Sequence, residues 1–174
     1  LAMRWPRATL LALGALLAIA VLFAPLIALA MPGREDLPLP FSWEERLAMW
    51  RSSAVRIEHA PIFGQGLDSV RLMKTPETIG GVEYHFISLH PHNSGLQIWL
   101  ELGGLGAIIA AAALFFGGRA ASRVLQGKAA IAGAAGAAAF ATQLLLSLGV
   151  WQEWWIATAF VLAAAVAALM QSET

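Results

Sequence analysis

Charged residues are scarce in this chain and unevenly placed. Only 13% of its 174 residues are Asp, Glu, Lys or Arg, whereas an ordinary soluble domain carries about a quarter. Hydrophobic residues make up 59%, and they are gathered in long apolar runs that leave most of the charge in one middle segment. This distribution predicts membrane spans joined to a solvated loop rather than one large soluble core.

Cysteine is missing altogether, which excludes disulfides and thiolate metal sites without fixing the compartment. The 11 basic and 11 acidic residues give a formal net charge of zero. Binding to nucleic acid favours a strongly basic protein, so this balance indicates no nucleic-acid partner.

Four runs are apolar and long enough to cross a bilayer, for which about 20 residues suffice. The first also resembles a signal peptide, because Ala28-Leu29-Ala30 looks like a cleavage site. However, the apolar part of a signal peptide is only about 7–15 residues long, and further spans follow here, so we predict a retained helix. The four spans are predicted at about residues 8–31, 94–118, 129–148 and 154–170.

The last two spans are separated only by residues 149–153, so they are predicted to form a tight antiparallel hairpin. Trp151, Trp154 and Trp155 beside this connection fit the aromatic belt that marks a membrane interface.

Basic residues predict the orientation. Arg4 and Arg7 precede the first span, and Arg119, Arg123 and Lys128 lie between the second and the third. Because short cytoplasmic loops are enriched in Lys and Arg, both segments are predicted to be cytoplasmic. Four spans then return the C-terminus to the cytoplasm and place residues 34–93 on the opposite side of the membrane.

The expected fold class is therefore an all-α integral membrane protein. A single membrane domain covers residues 1–174, with four transmembrane helices and one large periplasmic loop at about residues 32–93. It is expected to be a multi-pass protein of the bacterial inner membrane.

The loop is predicted to contain a helix of its own. Ser42 and Glu45 match the capping box that starts a helix, with Ser42 as the N-cap. Apolar residues then recur at helical spacing to about Glu58, which predicts an amphipathic helix lying on the membrane surface or against the spans. These residues are Trp43, Leu47, Trp50 and Ala54.

Beyond that helix the loop is predicted to change structure. Pro61 ends the helix, and Gly64-Gln65-Gly66 predicts a turn. Residues 82–89 are interpreted as a short strand or as an extended approach to the next span.

His92 is the strongest candidate for a catalytic residue. Ser94 and Gln97 match a second capping box, which predicts that a helix starts close to the outer membrane face. The positive end of that helix dipole disfavours imidazolium, so it helps to keep His92 neutral, as a general base requires.

Three polar residues share one face of the helix that follows, because Asn93, Gln97 and Glu101 are spaced by four residues. Polar groups at this depth usually face a bundle interior or a cavity. Two interpretations stay open: they support catalysis, or they satisfy one another and join the helices. The glycines that follow are interpreted as a surface for close helix packing; they are Gly103, Gly104 and Gly106.

Arg46 and Arg51 lie on the predicted loop helix. Arginine presents a planar fork that matches phosphate oxygens and stays charged at any relevant pH. The alternative is an ion pair with Glu44 or Glu45 on a solvated face. Three further basic residues are interpreted as solvated loop charges: Arg56, Arg71 and Lys74.

Neither a cofactor nor a metal is expected. Gly64-x-Gly66 lacks the strand-turn-helix unit of a dinucleotide site. The one set of side chains that resembles a metal site matches no established zinc spacing; it comprises Glu83, His85, His90 and His92.

The order of these motifs resembles a known family. Arg46 precedes Trp50, and the segment Pro61-Ile62-Phe63-Gly64-Gln65-Gly66-Leu67 follows. His92-Asn93 then stands nine residues before Gly103, which is followed after two residues by Gly106. This order resembles the C-terminal half of the O-antigen ligase and polysaccharide polymerase superfamily, over roughly residues 40–118 and, by topology, the flanking spans.

The resemblance implies a metal-independent glycosyltransferase of the GT-C type, active at the periplasmic face. Such enzymes transfer a glycan from undecaprenyl diphosphate to an acceptor hydroxyl, which for the ligases is on lipid A-core. The partners implied are this lipid-linked glycan, a lipid or saccharide acceptor and membrane lipid. The family's histidine corresponds to His92, as base, and a family arginine to Arg46, as the diphosphate-binding group.

Arg51, Asn93, Gln97 and Glu101 complete the candidate site as substrate-binding or supporting residues. The superfamily has many more than four spans, together with a functional arginine upstream of this sequence. We therefore expect the chain to be a partial sequence that is inactive by itself.

Two other functions remain open. One is a repeat-unit polymerase for O antigen or exopolysaccharide, or a ligase with another acceptor, which would use the same donor. The other is a non-catalytic scaffold or a transporter segment. The deep parts of the spans are almost purely apolar, which disfavours transport, whereas a scaffold would tolerate substitution of Arg46 and His92.

Overall fold

A computed structural model describes residues 5–31, 40–72, 77–79, 82–84, 90–146 and 149–172. Its helices are α1 (Pro6–Leu22), α2 (Ala24–Ala30), α3 (Phe41–Ile57), α4 (Ser94–Val124), α5 (Gly127–Leu146) and α6 (Glu153–Ser172), with a 3₁₀ helix at Ser69–Leu72. The regular structure in these ranges is thus helical apart from one small hairpin of β1 (Glu77–Ile79) and β2 (Val82–Tyr84). The strand predicted within residues 82–89 is present at Val82–Tyr84, and residues 85–89 lie outside the described part.

Within the described residues, three helices are long and apolar enough to cross a membrane: α4, α5 and α6. The bent pair α1 and α2 makes a fourth if it is counted as one span. The second span extends further than predicted, since α4 continues past residue 118 to Val124. This helical composition supports the multi-pass membrane class.

The first predicted span, at residues 8–31, is wrong as a single helix, because α1 and α2 meet at an angle of 71°. Pro25 causes the break. It has no N–H to donate to the carbonyl of Val21, four residues earlier, and its ring would clash with that carbonyl in a continuous helix. The Val21 carbonyl instead accepts the indole N–H of Trp99 at 2.8 Å.

The predicted hairpin of the last two spans is confirmed. Phe140 of α5 stacks on Trp155 of α6 with ring centroids 4.1 Å apart. Further along, a Cβ atom added to Gly136 would lie 2.5 Å from Leu162 Cδ2. Between these two contacts the residue number falls along α5 and rises along α6, so the helices are antiparallel.

Helices α1 and α4 cross through glycine. A Cβ atom on Gly14 would lie 2.8 Å from the Leu114 carbonyl oxygen, and one on Gly118 would lie 2.9 Å from Gly14 Cα. The absence of side chains at both positions lets the backbones approach closely, as small residues do in membrane bundles.

Arg7 joins the start of α1 to the end of α4 by two hydrogen bonds. Its Nε donates to the Ser122 carbonyl at 2.7 Å, and its Nη2 donates to the Arg123 carbonyl at 3.2 Å. A cation there satisfies carbonyls that the end of α4 leaves free. Arg7, in the first turn of α1, therefore lies at the same end of the bundle as Arg123, as their predicted common side requires. Arg4 lies outside the described residues.

Helix α4 is broken at Gly103, whose backbone has φ 64° and ψ −165°. The loop after α3 enters this break. The carbonyls of Leu100 and Glu101 accept the N–H groups of Gln65 and Gly66 at 2.8 and 3.0 Å. In the other direction, the N–H groups of Gly104 and Leu105 donate to loop carbonyls at 2.8 and 3.2 Å, those of Pro61 and Ile62 respectively.

These four hydrogen bonds correct the interpretation of the glycines as a surface for another helix. A Cβ atom on Gly103 would lie 2.4 Å from the Ile62 carbonyl, and one on Gly64 would lie 2.3 Å from the Glu101 backbone. Both residues also have positive φ, which favours glycine. Because Gly64 and Gly103 have no side chains, the loop backbone can pack directly against the broken helix. The predicted Gly64-Gln65-Gly66 turn is part of this docked loop.

Helix α3 packs against the bundle. Trp50, Ala54 and Ile57 are buried with Ala28 of α2 and Leu96 of α4. This is one of the two locations expected from the sequence.

The start of α3 differs from the expectation. Ser42 is not the N-cap, because the helix already begins at Phe41 and Pro40 occupies the cap position without a side-chain hydrogen bond. Pro40 has φ −56° and ψ 143°, an extended geometry that proline adopts readily and that suits a residue just outside a helix.

Candidate functional site

Asn93, rather than Ser94, caps the start of α4. Its Oδ1 accepts the backbone N–H of Leu96 at 3.1 Å, and Asn is as good a cap as Ser. The predicted Ser94–Gln97 capping box is therefore wrong, although the helix start is right. Gln97 does not reach back because its side chain is held elsewhere, by Glu101 and by the α5–α6 connection.

His92 stands immediately before this cap in a left-handed backbone conformation, with φ 53°. Few non-glycine residues adopt it, although His is among the more tolerant, and at functional sites such a conformation has to be held by its surroundings. The backbone N–H of His92 donates to Nδ1 of His90 at 3.3 Å. The two imidazole rings meet edge to face with centroids 4.5 Å apart.

His90 is held on a second side by the α5–α6 connection. A Cβ atom on Gly149 would lie 3.0 Å from His90 Cδ2 and 3.2 Å from its Cγ, so the ring packs directly on the glycine backbone. The pKa of His90 is lowered to about 4, mainly by burial and in part by the charges of His92 and Arg71. The His90 ring is therefore neutral near pH 7.

Asn93, Gln97 and Glu101 all contact either the end of α5 or the α5–α6 connection. Asn93 Nδ2 donates to the Leu145 carbonyl at 3.2 Å, near the end of α5. Gln97 Oε1 accepts the Val150 N–H at 2.9 Å. Glu101 accepts the indole N–H of Trp151 on one carboxylate oxygen and Gln97 Nε2 on the other, at 3.1 Å in the second case.

Glu101 is completely buried and Gln97 nearly so. Buried polar groups are stable when they are hydrogen-bonded, and both side chains are. Their geometry matches the interpretation in which these residues satisfy one another and join α4 to the α5–α6 connection.

Helix α3 contacts the histidine segment through Trp50, whose buried Nε1 donates to the Pro91 carbonyl at 2.9 Å. Arg46 lies one turn earlier on the same face of α3, roughly 6 Å along the axis. It is half-buried, and its guanidinium lies 5.4 Å from the centroid of the Trp43 ring. Arg46 thus lies on the α3 face that carries Trp50, and its guanidinium is against the Trp43 ring.

Arg51 is half-buried and donates from Nη2 to the Met31 carbonyl at 2.5 Å. It therefore helps to hold α3 beside the end of α2. Arg56 corrects another expectation, because it is only 8% exposed and not a solvated loop charge. Arg71 is exposed and paired with Asp68 at 2.7 Å, as expected, while Lys74 lies outside the described residues.

Near these residues an open cleft of about 580 Å³ is lined by Leu67, Asp68, Arg71, Leu102 and Trp151. It combines an aromatic ring with a carboxylate and a guanidinium, and the charge of Arg71 reaches His90. Another cleft, of about 510 Å³, lies between α1, α4, α5 and α6. It is lined by apolar residues and glycine, without a polar side chain.

Only two of the four metal-site candidates have side chains within the described residues. His90 and His92 are together, whereas His85 and the side chain of Glu83 lie outside the described residues. Within the described part of the chain, no three potential ligands come together around one point.

Sequence reasoning missed two residues of this site. Trp50 was assigned to an apolar face without its hydrogen bond, and His90 was considered only as a metal ligand. A signal for His90 was present in its position two residues before His92, because side chains often accept the N–H of the second residue after them in turns.

Comparison with known proteins identifies the family of the chain. The profile of the O-antigen ligase family matches residues 1–111, from α1 to just beyond the break in α4. The chain belongs to the O-antigen ligase family.

Curated relatives of this O-antigen ligase family member come from Rickettsia and are named as candidate polysaccharide ligases. The protein of Rickettsia conorii is 41% identical over 68 residues, which is 37% of this chain and 16% of the relative. That of Rickettsia felis is 31% identical over 120 residues, 65% of this chain and 29% of the relative. The protein of Rickettsia typhi is 32% identical over 118 residues, which is 64% of this chain and 28% of the relative.

The chain therefore spans less than a third of the length of these relatives. No solved structure matches it.

Proposed function

We propose that the protein is a metal-independent glycosyltransferase of the O-antigen ligase type. It transfers a glycan from undecaprenyl diphosphate to an acceptor hydroxyl, on lipid A-core or a similar molecule, at the periplasmic face of the inner membrane. The observation that carries the proposal is His92, held by its neighbours in a left-handed conformation directly before the capped N-terminus of α4.

His92 acts as the general base. As the acceptor oxygen attacks the anomeric carbon of the donor sugar, the imidazole takes the hydroxyl proton. The bond between that carbon and the diphosphate oxygen breaks, and undecaprenyl diphosphate leaves with its electron pair.

Arg46 binds the diphosphate. Negative charge grows on the leaving group in the transition state, and a guanidinium stabilises it through paired hydrogen bonds. The half-buried position of Arg46 beside Trp43 limits its freedom, so less entropy is lost when it binds. Arg51 supports this function by holding α3 against Met31.

Asn93, Gln97 and Glu101 are supporting residues in this proposal. They fix the outer end of α4 to the α5–α6 connection and so hold the helix N-terminus that follows His92. The cleft lined by Asp68, Arg71 and Trp151 offers space for a sugar beside these residues.

Complementation of a strain deficient in surface-glycan transfer tests the proposal. The full-length protein is compared with its His92→Asn, Arg46→Ala and Arg46→Lys variants at matched membrane levels. Asn tolerates the left-handed conformation of His92 but cannot act as a base. Arg119→Lys, an exposed position of α4 among the basic residues of the other end, is the control.

Loss of transfer in His92→Asn and in both Arg46 variants, with normal transfer in the control, supports the proposal. Normal transfer in His92→Asn would instead favour a scaffold. Chain length and lipid attachment of the product distinguish a ligase from a polymerase.

A further inference from the structure

One hydrogen bond between His90 and His92 closes a small turn before α4. The imidazole Nδ1 of His90 accepts the N–H of His92, two residues later, at 3.3 Å. Asp and Asn side chains make the same type of ring in turns, where the side-chain acceptor replaces a backbone carbonyl. Here the residue whose N–H is bound is the one in the left-handed conformation.

The His90 ring is itself fixed from outside the segment. It packs on the backbone of Gly149, where an added Cβ would lie 3.0–3.4 Å from three of its carbon atoms. The next residue of that connection, Val150, donates to Gln97. The position of His90 is thus set by the same connection that anchors α4.

The protonation state of His90 matches this arrangement. Only an unprotonated Nδ1 accepts a hydrogen bond. Because burial, together with the charges of His92 and Arg71, lowers the pKa of His90 to about 4, its ring is unprotonated near pH 7.

We propose that His90 is a positioning residue for the transfer reaction: by accepting the His92 N–H, it holds His92 in the left-handed conformation that directs its imidazole to the acceptor hydroxyl. This inference rests on the proposed function of His92 as the base. His90 itself touches neither substrate.

The competing explanation is that His90 only fills the space between His92 and Gly149. Two substitutions separate these explanations. Phe keeps an aromatic ring for packing but has no acceptor, whereas Asn loses most of the ring but places an amide oxygen near the position of Nδ1. Gln is a third variant, with its oxygen one bond further out.

The experiment measures kcat and KM for donor and acceptor in membranes that contain the full-length protein, its His90→Asn, His90→Phe or His90→Gln variant. We expect His90→Asn to keep kcat within about threefold. His90→Phe should lose about 10–100-fold in kcat, because a base displaced by about 1 Å loses this much, with smaller changes in the donor KM. His90→Gln should lie closer to His90→Phe.

Wild-type kcat in His90→Phe, or equal losses in His90→Asn and His90→Phe, would overturn the inference. A second readout does not depend on transfer: the rate at which diethylpyrocarbonate modifies His92, located by mass spectrometry. We expect the wild-type rate in His90→Asn and a changed rate in His90→Phe, and equal rates in the two variants would count against His90.

Failure of the proposed function has a different result. If His92→Asn transferred glycan normally, His92 would not be the base, whatever the His90 variants did. If His92→Asn were inactive while His90→Phe kept the wild-type kcat and His92 modification rate, only the positioning role would fail.

Discussion

Trp50 and Pro91 are joined by a buried hydrogen bond across the core, with the indole Nε1 of Trp50 donating to the Pro91 carbonyl at 2.9 Å. Trp50 is on α3, while Pro91 lies between the two histidines before α4. The bond therefore fixes the position of the histidine segment relative to the helix that carries Arg46. This contact brings together two segments that are far apart in the sequence.

Trp50→Phe should weaken both stability and transfer. It leaves the buried Pro91 carbonyl without its donor, which typically costs about 1–3 kcal/mol. We expect a lower thermal midpoint in detergent and several-fold slower transfer at equal membrane levels. Trp43→Phe is the control, because Trp43 is 37% exposed, and it should behave nearly like wild type. Equal effects of the two variants would argue against a special role for the Trp50 bond.

Gly103→Ala should destabilise the protein strongly. The residue has positive φ, and its new methyl group would lie 2.4 Å from the Ile62 carbonyl. Backbone strain at a φ and ψ that essentially only glycine adopts, together with overpacking, costs about 2–6 kcal/mol. Gly117→Ala, on the same helix with nothing within 4 Å, should have little effect. Thermal unfolding of both variants measures the difference, and a wild-type midpoint for Gly103→Ala would refute the docked loop.

Glu101→Gln should reduce stability without reducing the activity of the molecules that remain folded. The carboxylate accepts from Gln97 and Trp151 with different oxygens, whereas an amide offers one oxygen and turns its NH₂ toward the other donor. The lost bond costs about 1–3 kcal/mol. Thermal midpoints and transfer rates per folded protein are the measurements. A large loss of rate at unchanged stability would assign Glu101 a direct role in the reaction.

Stability should fall on acidification partly because of His90. Its pKa is lowered from 6.5 to about 4 in the folded protein, so the unfolded chain binds the proton more readily. The contribution to stability is therefore complete above about pH 6.5 and is lost as the pH falls toward 4. His90→Asn should have a thermal midpoint that decreases less between these pH values. Parallel pH dependences of the two proteins would contradict the lowered pKa.

The sequence was sufficient for features that depend on local patterns. Apolar runs predicted α4, α5 and α6 to within a few residues, apart from the C-terminal end of α4. Four-residue spacing placed Asn93, Gln97 and Glu101 on one face, and all three do contact the region of the α5–α6 connection. The location of Arg7 and Arg123 at one end of the bundle was likewise expected from charge alone.

Features that depend on distant partners could not be predicted in this way. Pro25 is visible in the sequence, but the donor that stabilises the broken helix is Trp99, 78 residues from Val21. The Gly103 break depends on a loop around Ile62 that docks from another part of the chain. Asn93 replaces Ser94 as the cap because tertiary contacts hold Gln97 away.

The most direct test of the account reconstitutes the full-length protein in proteoliposomes with an undecaprenyl-diphosphate-linked glycan and a lipid A-core acceptor. Release of undecaprenyl diphosphate and formation of the glycosylated acceptor are measured for wild type and for His92→Asn. We expect transfer without added metal and a decrease of about 10²–10⁴-fold in the variant, as loss of a general base produces. Wild-type transfer by a folded His92→Asn protein would contradict the central claim that His92 is the base.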